Sequence, residues 1–491
     1  MKLRVARTIK WNVIDRVSSQ LLYAVTGIIL ARELTQDDFG LIGAVLIFQS
    51  FANLFVDGGF SSALIQKKEP TRLDYSTVMW FNIAMATTIY IIMYFCAPLV
   101  ADCFEGDSRL IPLTRVMFLV SIINATSAVQ AQRLMKLMDV RMVAVSNSAG
   151  LFAGAVVGIW MALTGWGAWA MVWQYITVAV VKSLILWTTG DWTPLLRFSA
   201  ASLRSFMRVG SGILGAAFLN VVFQNIYSFV IGNRSGLTSL GYYTQADKWS
   251  KMPIASISGV LTSSFLPALS QYQDDPRRFA SATAKMNRFT AYLSLPALGM
   301  LAVLATPIFH ALFGAKWDPS IPLFQLLCLR GVFTILGAVY NNYIVALGRS
   351  RLMIVTEIVR DATALIAIAA TLPFISLSEP ASLTRGLVIF LWGQVGASVI
   401  AWAVTLFYAA SLSRRPVGQF LTDLLPYTVE TAGICAVMML LPPLIANPWL
   451  LIAAQTVAGG AIYLGINRLL GSVIQRDVIG YLTNRIMSRQ G

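Results

Sequence analysis

Charge is what this chain has least of. Of its 491 residues only 12% are Asp, Glu, Lys or Arg, while 57% are hydrophobic. A soluble domain is about a quarter charged. A soluble fold of this size needs polar side chains over most of its surface, and here they are missing. The deficit excludes a disordered chain, a coiled coil and a nucleic-acid-binding domain. It leaves a polytopic membrane protein for which lipid is the main solvent. Cysteine is also scarce. Cys96, Cys103, Cys328 and Cys435 form no CxxC, and the single histidine, His310, cannot complete a zinc site with them at recognisable spacing. Cys96 and Cys103 are near enough for a bridge at a membrane edge, but the spacing does not require one. The phosphate-binding pattern GxxxxGK[ST] is absent, which argues against ATP hydrolysis by this chain.

What the chain has in quantity is apolar runs. A spanning helix needs about 20 mostly apolar residues. Such runs lie near 12–31, 39–60, 75–97, 111–132, 142–163, 168–188, 206–232, 242–267, 286–306, 320–346, 353–373, 384–408, 423–445 and 448–470. The first is read as an uncleaved span, because it lacks the short apolar region and small-residue cleavage site of a secretory signal. About 14 transmembrane helices are therefore expected. An even count puts both termini on one side. The connections on that side carry 26 Lys and Arg, from Lys2, Arg4 and Arg7 through Arg133 and Lys136 to Arg485 and Arg489. The opposite connections carry six: Arg32, Arg109, Arg115, Arg234, Lys316 and Arg385. Basic residues collect in cytoplasmic loops, so both termini are expected in the cytoplasm, and the net charge of +15 needs no nucleic-acid partner. In 472–491, Ile474, Val478, Leu482 and Ile486 recur every four residues, as in an amphipathic helix lying on the inner leaflet; a short solvated tail is the alternative.

The chain also repeats itself. Ala97-Pro98-Leu99-Val100-Ala101-Asp102-Cys103-Phe104 leads to Ile111-Pro112-Leu113. Thr306-Pro307-Ile308-Phe309-His310-Ala311-Leu312-Phe313 leads to Ile321-Pro322-Leu323. Phe39-Gly40-Leu41 after span 1 matches Leu240-Gly241-Tyr242 after span 7. Two like-oriented six-span units follow, related by a pseudo-twofold along the membrane normal, with a substrate path between them. The expected architecture is all-α: a six-helix bundle over 1–190, a second over 191–410, helices 13 and 14 over 411–471, and a tail over 472–491.

An ionisable residue inside a span is a site candidate. Lys248 and Lys251 lie with Asp247 in span 8, and Asp247 and Lys251 are spaced to pair at i,i+4. Arg330 lies nearer the middle of span 10, where a charge costs about 2.5–3.5 kcal/mol on insertion scales. Lys182, near the inner end of span 6, reads as a snorkelling residue. Polar stripes suggest a wet interior: Gln49, Asn53 and Asp57 on span 2, Asn220, Gln224 and Ser228 on span 7, and Asn341 and Asn342 beside Tyr340 and Tyr343 in span 10. Interhelical hydrogen bonding is the alternative for each. Asp57, Arg16, Glu357 and Arg360, with Asp15 and Asp361, form a mixed-charge set fit for an inner gate or for a solvated rim. His310 reads as a helix-end residue. No catalytic residue and no metal site is indicated.

Taken together, Ile29-Leu30-Ala31-Arg32-Glu33-Leu34 with Asp38-Phe39-Gly40, Val56-Asp57-Gly58-Gly59-Phe60-Ser61-Ser62-Ala63-Leu64-Ile65-Gln66-Lys67-Lys68, Trp80-Phe81-Asn82, Ala97-Pro98-Leu99-Val100-Ala101, Leu240-Gly241-Tyr242-Tyr243, Gly314-Ala315-Lys316-Trp317 and Leu347-Gly348-Arg349-Ser350 resemble Wzx-type polysaccharide flippases. This is the polysaccharide branch of the superfamily that also holds multidrug extruders and the lipid II flippase. The resemblance covers about 10–360 and is nearest to exporters of lipopolysaccharide, capsule and colanic-acid-like exopolysaccharide. It implies two six-helix bundles around a central cavity. It also implies translocation of an undecaprenyl-diphosphate-linked oligosaccharide across the inner membrane, among membrane lipids, beside polymerase and chain-length proteins. Coupling to H+ or Na+ is open. On this reading Lys248, Lys251 or Arg330 holds the diphosphate, and the polar stripes meet the sugars. The chain departs from the family pattern at Asn233, where Lys is usual, and at Gln245, where Arg is usual; both bear on which sugar is carried. A drug/cation antiporter needs carboxylates where this chain has cations. A membrane polymerase or ligase needs a large outer loop, which is lacking. Lipid II flipping is a further alternative.

Overall fold

The computed structural model describes residues 2–57, 64, 67–375, 380–477 and 480. Every long regular element among them is a helix: α1 (Lys2–Glu33), α2 (Gln36–Asp57), α3 (Arg72–Asp102), α4 (Leu110–Met117), α5 (Leu119–Lys136), α6 (Val140–Leu163), α7 (Ala168–Thr189), α8 (Ala200–Ser270), α9 (Pro276–Val303), α10 (Ala305–Leu312), α11 (Ser320–Ala346), α12 (Arg351–Thr371), α13 (Pro380–Ser413), α14 (Val417–Met438) and α15 (Pro448–Leu469). The absence of sheet follows from the solvent. In lipid each backbone N–H and C=O must be paired within its own segment, and a helix does this.

Among the described residues ten helices are long and apolar enough to cross a membrane, or eleven if α9 and α10, bent by 57° at Leu304, make one broken span. The expectation of 14 is not reached by this measure, for two reasons. Glu357, Arg360 and Asp361 make α12 too polar to qualify, and α1 is not among the ten. Spans 7 and 8 run together as α8, broken only at Gly236 (φ 80°, ψ 173°), a conformation open to glycine and strained for other residues.

Two compact units divide the chain at Thr244 and Gln245. In the first, α6 and α7 pack through a small-residue stripe. A Cβ at Gly150, Gly154 or Gly158 would meet the backbone or side chains of Gln174, Val178 and Lys182 at contact distance or closer. Small residues let membrane helices approach, which gains dispersion and interhelical bonds where no hydrophobic drive exists. Phe104 is wholly buried against Phe48 and Phe229. In the second unit, Leu298 of α9, Ile335, Tyr340 and Tyr343 of α11 and Phe420 of α14 form the core. Phe313 is buried there against Trp249, at the repeat position that corresponds to Phe104. Packing groups 200–244 with the first unit, whereas the repeat-based division falls at 190/191; the symmetric bundles remain a reading of the repeat. Most of the expected tail helix lies outside the described residues. Its first turn is held by the buried Ile474 and by an ion pair of 2.5 Å between Lys285 and Asp477. All four cysteines are unbridged.

Candidate functional site

The loops after spans 1, 3 and 7, at the end opposite the basic connections, converge in the first unit. Arg109 donates to Asp107 and to Asp37, both at 2.6 Å. The Thr238 hydroxyl reaches Asp37 at 3.3 Å, and the Asn233 amide donates to the Cys103 carbonyl at 2.7 Å. Below this cluster α2 and α8 cross without side chains between them. A Cβ on Gly40 would overlap the Leu237 carbonyl, and one on Gly241 would overlap the Gln36 carbonyl. The glycines marked by the internal repeat are thus the two that let these helices touch. Asp107 is held below the ordinary carboxylate range, chiefly by its bonds to the Arg109 guanidinium.

Further along the same helices, Phe51 and Phe55 of α2 meet Phe218 of α8 at 5.8 and 6.0 Å. The polar stripes flank this contact. Asn53, Asn220 and Gln224 are exposed, and the Gln224 amide bonds Asn220. Gln49 differs from expectation. It is buried and donates to Ser121 of α5 at 2.5 Å, so it joins helices rather than lining an open surface. Spacing alone cannot make this distinction. Asp57 closes α2, but its side chain lies outside the described residues.

In the second unit the Lys251 ammonium pairs with Asp247 at 2.5 Å, as the i,i+4 spacing predicts. Lys248 is half-buried, its ammonium 5.8 Å from the Trp249 ring centre. Gln245, one turn earlier, is fully buried with both amide atoms unpaired. Arg330 is half-buried in α11. Asn342 donates to the Thr262 carbonyl at 3.0 Å and Asn341 accepts from Thr356 at 3.4 Å, so both serve as interhelical bonds. Tyr340 and Tyr343 bond Asn287 and Thr283 inside the core. Arg360 finds its carboxylates on its own helix, Glu357 at 2.5 Å and Asp361 at 3.0 Å. Arg16 of the first unit is exposed. His310 bonds Asp318 at 2.8 Å at a helix end.

Sequence reasoning passed over one polar centre entirely. Asp423 in α14 is buried between Arg288 of α9, at 2.6 Å, and Arg415, at 2.8 Å. Asn287 is 3.4 Å away. An aspartate inside an expected span next to an Arg-Arg pair was the available signal. Among the described residues no group of three His, Cys, Asp or Glu side chains could hold a metal ion.

These features define a multi-span helical membrane protein with a close, glycine-mediated crossing of α2 and α8. Residues 29–322 match the model of a family described as polysaccharide biosynthesis protein, and the chain belongs to that family. It is 26% identical, over 67% of each chain, to the succinoglycan biosynthesis transport protein ExoT of Rhizobium meliloti (strain 1021). It is 24% identical, over 69% of each, to the lipopolysaccharide biosynthesis protein WzxC of Escherichia coli (strain K12). Its fold is that of the lipid II flippase MurJ in an inward closed conformation, with a TM-score of 0.74 over 96% of this chain and all of the other, at 15% identity.

Proposed function

We propose that this protein is a flippase that carries an undecaprenyl-diphosphate-linked oligosaccharide repeat unit from the cytoplasmic to the periplasmic leaflet, for O-antigen, capsule or exopolysaccharide biosynthesis. The observation that carries the reading is the family match over 29–322, on a fold shared with a lipid II flippase. The charges within the spans suit the substrate. Lys248 and Arg330 are cations, and charge-assisted bonds from Lys or Arg are the strong way to hold a diphosphate. Gln245, Asn53, Asn220 and Gln224 are amides of the kind that hydrogen-bond sugars. Glu357, Arg360 and Arg16 belong to the gate on this reading, and movement is by alternating access between two six-helix bundles. The protein sits in the bacterial inner membrane with both termini in the cytoplasm, beside the polymerase and chain-length proteins that consume its product, and it performs no covalent chemistry.

Deletion of the gene tests this. The expected result is undecaprenyl-diphosphate-linked repeat units trapped on the cytoplasmic leaflet, loss of surface polysaccharide and normal peptidoglycan. A block in peptidoglycan would instead mean lipid II flipping. Drug resistance conferred on expression, with polysaccharide unaltered, would mean a multidrug/cation antiporter.

A further inference from the structure

Two arginines share one carboxylate where α14 begins beside α9, among the basic connections of the second unit. Asp423 accepts from Arg288 Nε at 2.6 Å and from Arg415 Nη2 at 2.8 Å. One negative charge thus serves two positive ones, and a net cation is left over. Its neighbours do not cancel it. Lys285, one turn before Arg288, is already paired with Asp477 at 2.5 Å. Arg414, next to Arg415 in the chain, adds a further exposed cation. Arg415 is nine-tenths buried, yet its Nη1 has no hydrogen-bond partner. A buried cation with an unmet donor is costly for the protein alone. Arg288 spends only Nε on Asp423 and is more than half exposed, which leaves its two terminal nitrogens free for an acceptor from outside.

The first turn of α14 adds donors of its own. Pro416 at the N-cap supplies no side-chain bond, and no carboxylate stands in that turn. The N–H groups of Val417 and Gly418 are among those a helix start leaves unpaired, at the positive end of the helix dipole. A Cβ on Gly418 would meet nothing within 4 Å, so the turn opens onto free space. The same turn is held rigidly. Asn287 of α9 donates to the Phe420 carbonyl at 3.1 Å, and the Arg415 guanidinium lies over the Phe420 ring, 4.6 Å from its centre. The unpaired buried guanidinium and the uncapped helix start are therefore one site. Beyond it, Leu421, Leu425 and Val429 recur every four residues along α14, 45%, 59% and 63% exposed, as an apolar stripe running into the span.

We propose that the start of α14 is a binding site for the headgroup phosphate of an anionic phospholipid of the inner leaflet. Arg288 and the first-turn N–H groups take the phosphodiester oxygens, Arg415 supplies uncompensated charge behind them, and an acyl chain follows Leu421, Leu425 and Val429. Each part suits this ligand. Arginine and a helix N-terminus are the usual donors to a phosphate. Basic pockets between spanning helices on the cytoplasmic side are where acidic headgroups lodge. A zwitterionic headgroup brings its own cation, which the surplus arginine charge opposes. The cations proposed for cargo, Lys248 and Arg330, stand on α8 and α11, and neither helix contributes to this site, so the bound lipid is a resident of the bilayer. The inference does not depend on the flippase reading.

Native mass spectrometry of the full-length protein tests it, with phosphatidylglycerol and phosphatidylcholine of identical acyl chains titrated into the purified sample. Wild type should retain severalfold more phosphatidylglycerol than phosphatidylcholine. Gly418→Glu places a carboxylate in the open space beside the turn, leaves the core untouched, and should abolish the preference. Arg288→Gln leaves Asp423 paired with Arg415 and should reduce it severalfold, with thermal melts confirming that both variants are folded. Arg204→Gln removes an exposed cation from the first unit and should leave the preference intact. Equal retention of the two lipids by wild type would overturn the proposal, as would a preference that survives Gly418→Glu. Equal losses from Arg204→Gln and Arg288→Gln would mean a diffuse attraction and no site. Full displacement of phosphatidylglycerol by equimolar glycerol 1-phosphate would mean a site for free phosphate, and would overturn the assignment to lipid.

Discussion

Arg415 and Asp423 form an ion pair of 2.8 Å with side chains only 9% and 3% exposed. Arg288 completes the group from α9 at 2.6 Å. This triad joins α9, α14 and the segment before α14 across the second unit. Buried pairs like this add little over a well-packed apolar group, but removing one member leaves the others as uncompensated charges, at a cost of about 3–5 kcal/mol. Asp423→Ala should therefore destabilise the purified protein far more than the double replacement Asp423→Leu with Arg415→Met, and thermal melts in one detergent would show the order. Equal melting temperatures for the two variants would mean that the triad is solvated.

Gly40 and Gly241 make a different kind of contact, in which nothing but backbone fits. Gly40→Ala or Gly241→Ala must push α2 and α8 apart at the end opposite the basic loops. We expect either change to abolish polysaccharide export and to increase alkylation of a cysteine placed at Thr238. Gly215 of α8 has nothing within 4 Å of a Cβ. Gly215→Ala should be silent in both assays, and slightly stabilising by helix propensity, about 1 kcal/mol or less.

How far the sequence reveals this molecule depends on the property in question. Helix positions were legible because hydropathy in lipid is a strong, local signal: each expected span is largely helical in its described part, with breaks at Phe118 and Leu304 and an early end at Met438. Counting apolar helices among the described residues gives ten or eleven rather than 14, since α12 carries three charges within its apolar run and spans 7 and 8 run on as one helix, α8. The repeat at Gly40 and Gly241 was visible as matched letters, but only coordinates show that these residues touch. Spacing placed Gln49 and Asn53 on one stripe, yet packing against Ser121 buries one and leaves the other exposed. Position along a span gives depth, whereas direction around the helix comes from the neighbours.

The cluster around Arg109 carries a pH dependence of known sign. Asp107 is held below the ordinary carboxylate value of 3.8 by hydrogen bonds to the Arg109 side chain, against a smaller opposing effect of burial. A depressed carboxylate stabilises the native state when ionised. Its contribution is full above the ordinary value and is lost as pH falls through the lowered one. Arg109→Gln should therefore lower stability at neutral pH, and the gap to wild type should close on acidification below about pH 3.8. Melting curves at pH 7 and at pH 3 provide the check. A gap that stays constant across that interval would mean that Arg109 acts through packing alone. Arg109 is more than half exposed, so the gap should shrink in high salt as well.

Lys248, Lys251 and Gln245 lie within two turns of α8, and their surroundings separate their roles. Lys251 already has Asp247 as partner and is more than half exposed; such pairs contribute about 0–1 kcal/mol. Lys251→Gln should therefore leave export near wild type. Lys248 is more enclosed, with an aromatic ring beside it, and Lys248→Gln should cut export sharply while the protein still inserts. Gln245 gives the sharpest contrast. Its buried amide forms no bond, and an unmet polar group costs about 1–3 kcal/mol. Gln245→Leu should raise the melting temperature, because the penalty disappears and the volume is kept. If the amide is retained for the substrate, the same substitution should lower export or alter which repeat unit is carried. A stabilised variant with undiminished export of every repeat unit would remove Gln245, and with it this face of α8, from the substrate path.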